Sequence, residues 1–148
     1  MYQRGKNILI VATLDTKSEE ALYLKEIIRT RENNPLVMDV GIGGGVPFQP
    51  DFSREEVALA TGRRLEEIRT GTYWDGLAAM ARGANSIIQN LVAKEKIDGL
   101  LFIGGGLGTS QALMIMPELP LKLPKLILST VAFVSGAINT ERLVLIRQ

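Results

Sequence analysis

Four short apolar runs constrain this chain most, because each ends in small, polar or glycine residues and helical segments separate them. Ile8-Leu9-Ile10-Val11-Ala12 opens the series within Asn7 to Thr13. Leu36 to Ile42, Ile97 to Ile103 and Lys125 to Thr130 follow. Continuous apolar runs of this length suit strands covered on both faces. Strands alternating with helices imply parallel βαβ units with right-handed crossovers. A single α/β domain over residues 1–148 is therefore expected, three-layered and Rossmann-like, with a mostly parallel sheet. The tail Leu143-Val144-Leu145-Ile146 is a candidate further strand.

Local signals place the helices. Thr16-Lys17-Ser18-Glu19 reads as a capping box with Thr16 as N-cap, and Asn33-Asn34-Pro35 closes the helix it opens. Ser53-Arg54-Glu55-Glu56 is a second capping box, heading a short helix that ends at Gly62, with another turn before Gly71. The longest helix runs from about Trp74 to Lys94, its apolar positions following the helical period. Gly76 and Gly83 inside it cost helix propensity, which points to close packing against a neighbour. Tyr73 and Trp74 at its head could stack on a base, although a core or interface role is the more ordinary reading. A short helix to about Met116 follows the third strand.

Composition removes several chemistries. The chain has no cysteine and no histidine, so disulfides, thiolate metal sites and histidine-based catalysis are excluded. A net charge of +1, from 17 basic and 16 acidic residues, offers no field for nucleic acid or a membrane surface. The N-terminal apolar run is too short for a spanning helix, and acids follow it without a cleavage site. A cytoplasmic setting is the expectation.

In parallel sheets ligands bind beyond the carboxyl ends of the strands, and the loops there carry the candidate chemistry. Gly104-Gly105-Gly106-Leu107-Gly108-Thr109-Ser110 joins a strand to a helix. Glycines at such a junction permit positive φ and bring backbone N–H groups onto an anion, and Thr109 adds a hydroxyl. The segment is neither a Walker A loop nor a full dinucleotide fingerprint; an anion site is the favoured reading over a tight turn that binds nothing. Thr13-Leu14-Asp15-Thr16-Lys17 follows the first strand. A lysine in a first helical turn opposes the helix dipole, which a bound phosphate or carboxylate would justify. Asp15 could orient Lys17, bind a ribose hydroxyl or hold Mg²⁺; the alternative is a capping turn with a solvated lysine. Asp39 lies where a dinucleotide fold places its ribose-binding acid, or else caps the next loop.

Several segments, taken in order, resemble a known family: Val11 to Glu20, Met38 to Gly41, Pro50 to Ala58, Ile97 to Thr109, Met116 to Pro120, Pro124 to Leu126 and Ser129 to Ala132. That family is an uncharacterised one sharing the N-terminal ATP-binding domain of the tomato mosaic virus resistance protein. The resemblance implies a Rossmann-like half of a longer two-domain protein, with ATP as ligand and Mg²⁺ accompanying a nucleotide. It places the Thr13–Lys17 and Gly104–Thr109 loops along a ligand cleft with Ser129 and Thr130 at its floor. It also implies, in bacterial members, enzymes of small-molecule metabolism, and in the plant relative a module that blocks another protein. The Phe133 to Ile138 stretch departs from the family pattern, and the chain stops at Gln148, short of the second domain. Three readings stand: a nucleotide- or phosphometabolite-binding domain, part of an enzyme acting on a small carboxylate or sugar acid, and an interaction or inhibitor module. Apolar surface left where a second domain docks makes a homo-oligomer the expected state.

Overall fold

The computed structural model describes residues 5–130 and, as backbone, the strand 143–147. Its elements are β1 (Asn7–Ala12), α1 (Leu14–Thr30), β2 (Asn34–Asp39), α2 (Arg54–Leu59), α3 (Leu65–Arg69), α4 (Tyr73–Ala93), β3 (Gly99–Gly104), α5 (Gly106–Ile115), a 3₁₀ turn (Met116–Glu118), β4 (Lys125–Ser129) and β5 (Leu143–Arg147). All five strands are parallel, in the order β2-β1-β3-β4-β5. Winding therefore reverses between β1 and β3, which makes their carboxyl ends the topological switch point.

The apolar runs are strands because both of their faces are covered. Leu9 and Val11 of β1, with Leu100 and Phe102 of β3, join one core with Val57, Ile68, Met80, Ile88 and Ile115 of the helices. Ile10, Ala12, Leu101 and Ile103 point the other way, onto Leu14, Ala21, Leu24 and Ile28 of α1. The result is the expected three-layer α/β domain. The segment 131–142, which holds Val131, Ala132 and the Phe133–Ile138 departure, lies outside the described residues.

Two local expectations shift and one holds. The chain enters α1 at Leu14 with Thr13 as N-cap, not at Thr16, and Lys17 is a non-helical residue (φ −127°, ψ 23°) that kinks the first turn. Strand β2 begins at Asn34 and stops at Asp39. Pro35 is tolerated there because β2 is an edge strand. The Ser53 capping box forms as expected: Ser53 Oγ accepts from the Glu56 N–H and Glu56 Oε2 accepts from the Ser53 N–H.

Gly83 lets α4 lie against α2, since a Cβ there would collide with the Val57 carbonyl oxygen and sit 3.1 Å from Thr61 Cγ2. A rigid backbone atom cannot yield as a side-chain tip can. Gly83→Ala is expected to lose about 1–3 kcal/mol through overpacking, outweighing the gain of up to ~1 kcal/mol in helix propensity. Urea unfolding checks this; a stabilised variant would mean that the two helices slide apart freely.

Candidate functional site

The switch point brings the two loops together. A cleft of about 260 Å³ is lined by Thr13, Asp15, Thr16 and Lys17 from the β1–α1 junction and by Gly105, Gly106, Leu107 and Gly108 from the β3–α5 junction. Thr130 closes it at the end of β4. Gly41, Ile42, Tyr73 and Leu77 supply the far wall. None of these four was singled out for the site from sequence, except Tyr73 as a stacking candidate. A core role for Tyr73 and Trp74 does not hold: they are 50% and 60% exposed.

The first turn of α5 explains what the glycines do. The N-cap Gly105 has no side chain to cap the helix, and no acid stands in the first turn. The first N–H returned to the turn is that of Thr109, donated to the Gly105 carbonyl. The N–H groups of Gly106, Leu107 and Gly108 therefore have no intrahelical acceptor. Positive φ is not involved, contrary to expectation, because Gly62 is the only described glycine that adopts it. Close approach is the reason instead. A Cβ on Gly104 would come within 2.6 Å of the Gly108 backbone, and one on Gly108 within 3.3 Å of the Ile103 carbonyl oxygen. Around Gly106 there is open space.

Four residues expected at the ligand do not line this cleft. Asp39 has no exposed surface. Its Oδ1 accepts the N–H groups of Leu14 (3.1 Å) and Gly41 (2.9 Å), and its Oδ2 accepts Arg54 Nε at 2.6 Å. It is thus a hub joining α1, β2 and α2, and its bond to the Gly41 N–H is the loop-capping alternative that the sequence offered. Thr109 Oγ1 is shared between the Gly105 carbonyl (2.7 Å) and Ser129 Oγ (2.6 Å), which ties α5 to β4. Both residues are buried; Ser129 and Gly104 line a neighbouring pocket of about 520 Å³ with Lys17 and Thr130. The Gly104 carbonyl accepts the Thr130 N–H at 3.2 Å. Gln111, which sequence reasoning passed over, is buried and donates to the carbonyls of Val40 and Leu77.

The charges in the cleft are few. Lys17 Nζ pairs with Glu20 Oε1 at 2.7 Å. The hydrogen bond from Lys17 holds the Glu20 carboxyl below its ordinary range. With Lys17 non-helical and paired, its conflict with the α1 dipole is already relieved without a ligand. Asp15 lines the cleft, and its Oδ1 is enclosed without a partner, as is Arg54 Nη2. The two atoms lie 2.8 and 3.1 Å from the point where a Gly41 Cβ would stand. Partial burial, then the charge of Asp15, push the Tyr73 phenol above its usual value, so it lines the cleft as a neutral donor. No helix among the described residues is long and apolar enough to cross a membrane.

The sequence compares closely with bacterial proteins. A UPF0261 protein of Brucella suis biovar 1 is 39% identical over 143 residues, covering 96% of this chain and 34% of the relative. Its counterpart in Brucella melitensis biotype 1 is 38% identical over the same length. One from Clostridium tetani is 35% identical over 129 residues, covering 86% of this chain and 32% of that protein. The chain thus spans about a third of the length of these relatives. The pattern of the uncharacterised protein family UPF0261, N-terminal domain, matches residues 6–147, and the chain belongs to that family.

Proposed function

We propose that the cleft between β1 and β3 binds a small anionic ligand through its phosphate or carboxylate. A nucleotide such as ATP is the ligand that the resemblance to the plant resistance protein's ATP-binding domain implies. One observation carries the reading: three N–H groups at the start of α5, with no acceptor in their own helix, open onto a cleft shared with Lys17. Such an N-terminus attracts an anion through directed hydrogen bonds and the positive end of the helix dipole. Thr13 and Thr16, whose hydroxyls bond each other at 3.1 Å, line the cleft with Thr130. The wall of Ile42, Tyr73, Leu77 and Leu107 suits an apolar or ring-bearing remainder. Asp15 would repel a bare phosphate, and Mg²⁺ or a ligand hydroxyl between them removes that repulsion.

Asp15 beside Lys17 also favours a second reading, in which the cleft is part of an enzyme acting on a small carboxylate or sugar acid. Lys17 would then polarise a substrate oxygen while Asp15 exchanges a proton. Activity, substrates and partners of the longer relatives are proposals for this chain, as is an inhibitory role on another protein. Self-association and a cytoplasmic setting belong to the same proposal. Leu22, Tyr23 and Ile27 of α1 are exposed, and pairing would cover them.

Calorimetry tests the binding. ATP, tripolyphosphate and inorganic phosphate are titrated with and without Mg²⁺, against the wild type and Lys17→Ala. Saturable binding, tighter with Mg²⁺, is expected, weakened about tenfold or more in Lys17→Ala by loss of one charge-assisted hydrogen bond. Stability should hardly change, because an exposed i,i+3 pair contributes only ~0.5 kcal/mol or less. Heats indistinguishable from dilution for every anion would refute the reading.

A further inference from the structure

On the other side of the Gly41–Gly45 segment lies a larger cleft of about 690 Å³, lined by Gly43, Gly44, Gly45, Phe48, Arg54 and Arg69 among others. Two guanidinium groups converge here on one carbonyl. Arg54 Nη1 donates to Gly43 O at 2.9 Å and to Gly44 O at 2.7 Å. Arg69 donates from Nε to Ile42 O and from Nη2 to Gly43 O, both at 2.8 Å. Arg54 is 3% exposed; its Nη2, without a hydrogen-bond partner, lies at Gly41 on the side of the first cleft. Its charge is matched by Asp39. The ion pairs among the described residues do not include Arg69.

We propose that this cleft is a second, separate anion site, in which Arg69, supported by Arg54 and the Gly43–Gly45 backbone, takes a single small oxyanion such as a phosphate or carboxylate group. A guanidinium fork matches two oxygens of such a group better than it matches single neutral carbonyls. An oxyanion also brings the attraction of opposite charges, which a neutral carbonyl does not offer. An arriving oxyanion therefore displaces carbonyls from Arg69 and moves the glycine loop. Gly44 and Gly45 have room to move, since no heavy atom lies within 4 Å of a Cβ position at either, whereas Gly43 rests against the Asp15 carboxylate. Glu55 on the rim limits the charge accepted, which favours one oxyanion group over a polyphosphate.

Amide NMR of the ¹⁵N-labelled protein reads both clefts at once. Sodium phosphate and sodium malonate are titrated at constant ionic strength against a chloride control. Saturable shifts at the Gly43, Gly44 and Gly45 amides are expected with at least one of the two anions. Exposed Arg69 can be changed without touching the core, and in Arg69→Gln that affinity should fall about tenfold or more. Any response at Gly106–Gly108 should be the same in both proteins. Flat Gly43–Gly45 amides, or equal affinity in Arg69→Gln, would overturn the site. Shifts at Gly43–Gly45 with none at Gly106–Gly108 would uphold it while counting against the cleft between β1 and β3.

Discussion

Arg54→Ala should unfold far more easily than the wild type, by about 3–5 kcal/mol, because it strands a fully enclosed carboxylate. Asp39 loses its 2.6 Å partner and keeps only the N–H groups of Leu14 and Gly41. The Gly43 and Gly44 carbonyls lose their donor from α2 at the same time. Domains of this size are held by only ~5–15 kcal/mol, so one substitution removes a large share. The thermal midpoint should fall by roughly 6–20 °C. The effect also reaches the candidate site, since Asp39 is what secures the N–H of Leu14 at the head of α1. Denaturant melts of Arg54→Ala and Asp39→Asn, which keeps an acceptor, separate charge from shape: the first should cost more. A loss below ~1 kcal/mol in Arg54→Ala would show that water reaches the pair.

This hub also marks the limit of what the sequence disclosed. The strands were legible because Ile8–Ala12 and Gly99–Ile103 are apolar at every position, a pattern that only double-sided burial requires. Their carboxyl ends were legible for the same reason, and with them the proximity of the Thr13 and Gly105 loops. The start of α1 was not. Thr16-x-x-Glu19 is a sound local cap, but Asp39, 25 residues downstream of Leu14, accepts the first N–H from the neighbouring strand β2, and the N-cap is Thr13. A contact at that separation leaves no periodic trace. Asp39 was read from its place at the end of the second strand as a ribose acid or a loop cap, and its partner Arg54, 15 residues on, left no local sign.

Thr109 and Ser129 tell the same story 20 residues apart: each hydroxyl looked free until the other was placed beside it. Tyr73 and Trp74 failed differently. Helical periodicity assigned the buried face of α4 correctly, with Leu77, Met80, Ala84 and Ile88 enclosed. It could not show that both rings of the first turn are left exposed, with Tyr73 at the cleft. Small polar and glycine residues at strand ends thus located the cleft, whereas long-range partners decided which of them face it.

Gly106→Asp should pull stability and binding in opposite directions, which few substitutions do. Position 106 is the first residue of α5, its backbone is not left-handed, and a Cβ there meets no heavy atom within 4 Å. Replacing glycine reduces the entropy of the unfolded chain, a gain of ~0.4–1 kcal/mol at a compatible site. A carboxylate at a helix N-terminus adds ~0.3–1 kcal/mol. The variant should therefore be more stable than the wild type by about 1 kcal/mol. Binding should collapse, because the new carboxylate occupies the N–H groups offered to the ligand. It also repels an incoming anion by ~1–4 kcal/mol at a separation of about 4 Å, depending on the local dielectric. Together with the displaced charge-assisted bonds, that amounts to a loss of about a hundredfold or more. Gly106→Ser, which adds a small neutral side chain, should stay within a few-fold of wild-type affinity. Thermal melts and calorimetry on the same preparations read both effects. Undiminished binding of ATP or phosphate in a stabilised Gly106→Asp would place the ligand away from the start of α5.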